Sequence, residues 1–259
     1  MNRDSVVLVT GATAGIGRAI ATRFLAEGYK VIATGRRTER LDSLYHSIPQ
    51  DQHDQLYIAQ LDVTDHVEIG NFISSIPADF KNIHVLVNNA GLALGLEPAY
   101  KAELLEWFQM IDTNIKGLMN MTTAVLPGMI ERQHGHIFNV GSVAGTYPYP
   151  GSNVYGSTKA FVHQYTADLR TSLANTGLRV SSIEPGMISG TEFSNVRLKD
   201  DDRAKKVYEG IEALTPDDMA ETIFWAATLP AHVNVNTLEV MPVQQAFSSP
   251  TFYRKKIEA

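Results

Sequence analysis

The chain has 259 residues, 44% of them hydrophobic, enough for one substantial core and an ordinary size for a single parallel α/β domain. A formal net charge of -6 argues against a general nucleic-acid or anionic-membrane binder, and the absence of cysteine excludes disulfides, a thiolate nucleophile and any cysteine-containing metal site. No apolar run approaches the roughly 20 residues of a membrane span, and Met1 to Ser5 lacks a signal peptide's longer apolar segment, so a soluble, cytoplasmic chain is expected.

Val6 to Val9 reads as a four-residue apolar strand. Thr10, Gly11, Thr13, Gly15 and Gly17 follow in a G-x-x-x-G-x-G turn, after which Ile16, Ala19, Ile20, Phe24 and Leu25 recur at helical spacing up to Gly28. Strand, glycine turn and helix in that order are what a dinucleotide-binding loop requires. Glycines let the backbone approach a pyrophosphate, and free amides at the helix N-terminus face its charge.

A second strand, Tyr29 to Thr34, ends in Gly35-Arg36-Arg37, and no acidic residue occurs between Glu27 and Glu39. An acid here would bond the ribose hydroxyls of NAD, whereas arginine meets the extra phosphate of NADP. The expected cofactor is therefore NADP(H), with Arg36 the favoured phosphate ligand and Arg37 a second contact. A helix from Arg37 to Ile48 and a polar connection, Pro49 to Asp54, lead to a third strand, Leu56 to Leu61. Asp62 and Val63 follow at its C-terminal end, where Asp62 either reaches an adenine amino group or caps the helix beginning near Asp65. That helix runs from Val67 to Ile76.

Strand four, Ile83 to Val87, ends in Asn88, Asn89, Ala90 and Gly91, which suit bonding between adjacent loops and close passage of a cofactor. One long helix is predicted from Ala102 to about Leu126, before Pro127-Gly128. Asn114 sits inside it, where it is either exposed or recruited to a local hydrogen bond.

Strand five, Gly135 to Val140, ends near Ser142, and Asn153 is a good N-cap for a helix carrying Tyr155 and Lys159 on one face. A free phenol has a pKa of about 10 and an ammonium about 10.4, so a cation beside the phenol favours phenolate and lets Tyr155 work as acid or base. Ser142 would hold the substrate oxygen. Strand six, Leu178 to Ile183, ends in Pro185-Gly186. Met187 to Gly210 lacks a clean strand pattern and is a candidate lid over the substrate. Thr215 to Asp218 reads as a capped helix start, Met219 to Thr228 as its helix, and Val233 to Val240 as the last strand. The predicted fold is an α/β doubly wound, seven-stranded parallel sheet in one Rossmann-type domain, with every candidate ligand group at a strand's C-terminal end.

Taken together, Thr10 to Gly17, Asn88 to Gly91, Asn114, Ser142, Tyr155 to Lys159 and Pro185-Gly186 resemble the short-chain dehydrogenase/reductase family. The resemblance implies that Tyr155 is the general acid/base, that Ser142 orients the substrate oxygen and that Lys159 lowers the tyrosine pKa and binds the nicotinamide ribose. It further implies that Asn114 is catalytic, holding a water in the proton relay through backbone geometry, and that no metal is required. Ile32 to Arg37, Leu56 to Val63, Leu92 to Gly95, Gly190 to Arg197, Pro230 to Glu239 and Met241 to Val243 are similar to the bacterial NADP-dependent 3-hydroxy acid dehydrogenase group. That likeness implies action on serine, allo-threonine and malonic semialdehyde, with Pro185, Gly186, Ile188, Gly190 and Thr191 near the nicotinamide. It also implies a homotetramer packed through helices at about 103 to 126 and 153 to 175. A hydroxy acid needs a counter-charge, for which Arg197 is the candidate and Lys199 or Arg203 the alternatives. The competing readings are a reductase for another small or acyl carbonyl and a nucleotide-binding protein that has lost activity. The stretch from Phe252 to Ala259 has no assigned role.

Overall fold

A computed structural model describes residues 4–247, so the stretch from Phe252 to Ala259 lies outside the described residues. The strands are β1 (Val6–Val9), β2 (Lys30–Gly35), β3 (Leu56–Gln60), β4 (Ile83–Asn88), β5 (Gly135–Val140), β6 (Leu178–Pro185) and β7 (Thr237–Val240). Between and after them lie helices α1 (Gly15–Ala26), α2 (Thr38–Ser47), α3 (His66–Ser75), α4 (Leu104–Ile111), α5 (Leu118–Glu131), α6 (Asn153–Ser172), α7 (Phe193–Leu198), α8 (Asp201–Lys206) and α9 (Pro216–Thr228).

All seven strands pair in parallel, as expected, and their order is β3-β2-β1-β4-β5-β6-β7. The period of two along each strand divides the core between two faces. Val7, Val9, Val31 and Val85 pack with Phe24 of α1, Leu41 of α2 and Ile223 of α9, whereas Val6, Leu8, Ile32 and Leu86 pack with Phe72 of α3 and Met121 and Val125 of α5. The chain turns from building outward through β2 and β3 to building the other way through β4, which opens a crevice beyond the C-terminal ends of β1 and β4.

Several local expectations change. The connection before β3 is a 3-10 turn, Gln50–Gln55. The helix after β4 is interrupted by a π-helical turn, Asp112–Gly117, and continues through Pro127 to Glu131. Burial of Met121, Val125 and Met129 against the sheet outweighs the cost of an interior proline, and the helix ends where Gln133 adopts a left-handed φ of 51°. Asn153 does not cap α6. It is the helix's first residue, has φ 40°, and its side chain donates to the Glu97 carbonyl (2.7 Å), so it ties the start of α6 to the loop that follows β4. The last strand begins only at Thr237, because residues 234–236 follow β6 partly through side-chain bonds, such as Val180 N to Asn234 Oδ1 (2.8 Å) and Ser181 Oγ to the Val235 carbonyl (2.6 Å).

The capped start of α9 is present in full. Thr215 Oγ1 accepts from the Asp218 amide, and Asp218 Oδ2 accepts from the Thr215 amide. Thr215→Ala is expected to lower stability by about 1 kcal/mol, read as a fall in the urea midpoint with no change in cofactor affinity.

Candidate active site

A cavity of about 730 Å³ opens at the crevice. It is lined by Gly11, Thr13, Gly15 and Ile16 after β1, Arg36 and Arg37 after β2, Asp62 and Val63 after β3, and Asn89, Ala90 and Gly91 after β4. Ser142, Tyr155, Lys159, Pro185, Gly186, Ile188, Thr191 and Arg197 also line it. Segments distant in sequence thus meet because parallel strands present all their C-terminal ends on one edge.

Thr10, Gly17 and Asn114 are not on the lining. The Thr10 hydroxyl instead accepts from the amides of Asn89 and Ala90, both at 3.0 Å, and so joins the ends of β1 and β4. Asn89 Nδ2 returns bonds to the carbonyls of Thr10 (2.9 Å) and Gly11 (3.2 Å), the loop-to-loop role expected of it. A Cβ on Gly17 would lie 2.4 Å from Asn89 Nδ2 and 2.5 Å from the Gly11 carbonyl, so this glycine keeps α1 close beneath the turn.

Asn114 lies buried in the π-helical turn, a geometry that recurs at functional sites because it redirects one side chain out of the helical ladder. Its Oδ1 accepts from the Leu92 amide (2.9 Å), while Nδ2 donates to the Leu92 carbonyl (2.9 Å) and Thr158 Oγ1 (3.0 Å). The residue therefore clamps the chain beyond Gly91 to α6. Asp62 is not a helix cap: its Oδ1 accepts from Thr64 N and Thr64 Oγ1 (2.9 and 2.8 Å), and Asp65 caps α3.

Tyr155 and Lys159 share the buried face of α6. The Ser142 hydroxyl donates to the Pro185 carbonyl (3.5 Å) and accepts from the Ala144 amide (3.1 Å). The electrostatics differ from the expected pairing. Burial pushes the Tyr155 phenol up to about 12, opposed by the Ser142 hydrogen bond and the Arg197 charge. Burial also pulls the Lys159 ammonium down to about 8. Lys159 Nζ donates to the Val140 carbonyl (2.8 Å) and lies 5.9 Å from the centre of the Tyr155 ring. Desolvation dominates the shift on the phenol, and among the opposing influences the Arg197 charge favours phenolate.

Arg197 is itself buried, on α7. It donates to the Gly95 carbonyl (3.2 Å), the Tyr149 hydroxyl (2.5 Å) and the Gly151 carbonyl (3.3 Å). Its guanidinium carbon stands 5.3 Å from the ring centres of both Tyr149 and Tyr155, and none of its partners among the described residues is a carboxylate. Lys199 pairs with Glu106 (2.6 Å) and, with Arg203, faces a separate cavity of about 220 Å³.

At the other end of the groove, Arg36 is exposed and its side chain has no partner among the described residues. Arg37 donates to Thr13 Oγ1 (3.0 Å) and pairs with Glu192 (2.8 Å), which also pairs with Arg40 (3.1 Å). The sequence singles out neither Arg40 nor Tyr149, and places Glu192 only within the stretch Met187 to Gly210 without a role of its own. Arg37 and Arg40 do stand three apart on one helical face, but nothing local announces an acid about 150 residues later.

The short chain dehydrogenase family model matches residues 5–202. The chain is 58% identical over 251 residues to the NADP-dependent 3-hydroxy acid dehydrogenase YdfG of Escherichia coli (strain K12), covering 96% of this chain and all of that protein. It is 51% identical to sulfoacetaldehyde reductase 2 of Chromohalobacter salexigens, covering 95% of this chain and 97% of the relative. The solved closed form of serine dehydrogenase complexed with NADP+ superposes with a TM-score of 0.93 at 58% identity, over 96% of this chain and 100% of that one.

The depressed Lys159 pKa carries a stability signature. Between about 8 and the free-lysine value of about 10.4, the unfolded chain holds a proton that the native state has released, so stability rises with pH. Without cofactor, the wild type should gain roughly 2 kcal/mol relative to Lys159→Met from pH 8 to pH 10, measured by urea denaturation at each pH. Parallel curves for the two proteins would refute the shift.

Proposed function

The chain belongs to the short-chain dehydrogenase family, and on that premise we propose that it is an NADP(H)-dependent oxidoreductase acting on a small 3-hydroxy acid or its 3-oxo partner, such as serine, allo-threonine or 3-hydroxypropionate. One observation carries the substrate assignment: a buried guanidinium without an acidic partner lines the same cavity as Tyr155, 5.3 Å from its ring. A buried cation of this kind is strongly favoured by an incoming carboxylate, which it can bind through paired N–H groups.

The groove fits the cofactor by its own chemistry. The turn from Gly11 to Ile16 leads into the amides at the start of α1, and a Cβ on Gly15, whose φ is 51°, would stand 3.1 Å from Thr191 across the groove. That turn would hold the pyrophosphate, Arg36 with Arg37 the additional phosphate, and Asp62 with Val63 the adenine. Asn89, Ala90 and Gly91 would border the nicotinamide-side ribose, Tyr155 and Lys159 would bond it, and Pro185, Gly186, Ile188 and Thr191 would border the nicotinamide. When bound, NADPH supplies the hydride.

The chain's residues align the substrate and move its proton. In reduction, Tyr155 gives its phenolic proton to the substrate oxygen while Ser142 hydrogen-bonds that oxygen; oxidation reverses both steps. Asn114 holds the backbone at Leu92 and α6 in register, which supports a relay through ordered water beside Lys159. Residues 187–210, containing α7 and α8, form the lid. Exposed Leu104, Leu105 and Phe108 on α4 support a homotetramer packed through that face and α6. No helix among the described residues is long and apolar enough to cross a membrane, in keeping with a cytoplasmic enzyme whose partners are small molecules and copies of itself.

A second reading, reduction of another small carbonyl compound, draws on the relative that is a sulfoacetaldehyde reductase, since Arg197 would take a sulfonate as it takes a carboxylate. NADP-linked turnover across L-serine, L-allo-threonine, 3-hydroxypropionate, malonic semialdehyde and sulfoacetaldehyde ranks the two readings.

Three outcomes test the assignment. Arg197→Ala should lower kcat/KM for the acids by roughly 10- to 100-fold while sparing an uncharged alcohol of the same skeleton; equal losses would exclude a carboxylate-specific role. Tyr155→Phe should reduce turnover by roughly 10²- to 10⁴-fold in both directions. Because burial holds the wild-type phenol protonated at neutral pH, oxidation should accelerate as pH rises into the alkaline range and reduction should slow; pH–rate profiles in each direction check the sign.

A further inference from the structure

The segment that leaves β6 crosses the groove, and its first charged residue, Glu192, reaches the opposite side. Its Oε2 lies 2.8 Å from Arg37 Nη1 and its Oε1 lies 3.1 Å from Arg40 Nη2. Arg37 also donates to Thr13 in the glycine turn, so the contact reaches the turn itself. Five residues further on, Arg197 fixes the other end of the segment to Tyr149, Gly95 and Gly151. Between these ties, Thr191 stands close over the turn, leaving no room for a Cβ on Gly15 without a contact of 3.1 Å.

We propose that Glu192 is a latch that holds residues 191–198 closed over the groove and thereby sets how fast the cofactor leaves. The proposal rests on reading the groove as the seat of NADP(H). A dinucleotide lying along the glycine turn can depart only when Thr191 to Phe193 lifts, and lifting separates both ion pairs. Arg36, not Arg37, is the cation whose side chain has no partner among the described residues, so the additional phosphate has a ligand while the latch is shut. Arg40 does not line the cavity, so its pair with Glu192 ties down the segment and contributes nothing directly to a ligand. A carboxylate acting only as a stand-in for the phosphate would have no use for this second, outlying arginine.

The test is stopped-flow release of NADPH and of NADH, which lacks the 2′-phosphate, from wild type, Glu192→Gln, Arg40→Ala and the double variant. Both ion pairs are partly exposed, so Glu192→Gln should speed release of both cofactors about three- to tenfold. Arg40→Ala should give a smaller rise, and the double variant should be no faster than Glu192→Gln, because both changes remove the same contact. The difference from wild type should shrink as salt is raised. Slower release of NADPH with NADH unchanged would mean that Glu192 competes with the phosphate for Arg37 and would overturn the latch. So would release rates equal to wild type, or additive effects in the double variant. A wild type that binds neither cofactor would sink the reading of the groove itself, whereas a wild type that binds NADPH beside an unaltered Glu192→Gln variant sinks the latch alone.

Discussion

The site depends on the join between the ends of β1 and β4. There the sheet changes its direction of growth, and two loops must approach each other with few side chains between them. The Thr10 hydroxyl and the Asn89 amide close that gap with four bonds to backbone groups. The consequences spread outward. Gly17 packs beneath the join, Gly91 leads to the Leu92 backbone gripped by Asn114, and Asn114 reaches Thr158 on the helix that carries Tyr155 and Lys159. The glycine turn and the helix that carries Tyr155 are therefore tied together by the bonds of Thr10, Asn89 and Asn114, joined through the short chain from Asn89 to Leu92. Breaking a member would leave buried partners unsatisfied rather than merely loosen a surface.

Around that frame, burial and charge act against each other. Tyr155 and Lys159 are both withdrawn from water, which favours the neutral form of each and moves their pKa values apart, to about 12 and about 8. The ammonium spends a hydrogen bond on Val140, and the opposing influence on the phenol comes from Ser142 and from Arg197 across the cavity. Such an arrangement keeps the phenol protonated at neutral pH. It also makes α7, through Arg197, an electrostatic participant in the cavity.

The two arginines of greatest interest illustrate different uses of one side chain. Arg197 is buried among carbonyls and hydroxyls, with capacity left for an anion. Arg37 is half-exposed and already shared between Thr13 and Glu192. Desolvation makes the first cation demand a counter-charge, while solvent screening makes the second a modest, reversible tie. The desolvated cation and the screened, reversible tie stand at opposite ends of the same segment, at Arg197 and at Glu192.

The sequence by itself determined the sheet, the glycine turn and the pairing of Tyr155 with Lys159 on one face, since each rests on local periodicity or on a turn whose chemistry needs a particular residue. It also brought Thr215 and Asp218 together, because a capping box spans only four residues. It left open whether Asn114 is exposed or bonded, misread Asn153 as a cap, and ended the long helix at Pro127. Those outcomes were decided by contacts with Leu92, Glu97 and the buried face of the sheet, all distant in the chain. The same is true of the phenol's pKa and of Glu192 meeting Arg37 and Arg40: desolvation and Coulomb attraction depend on distances through space, and only the folded chain fixes those distances.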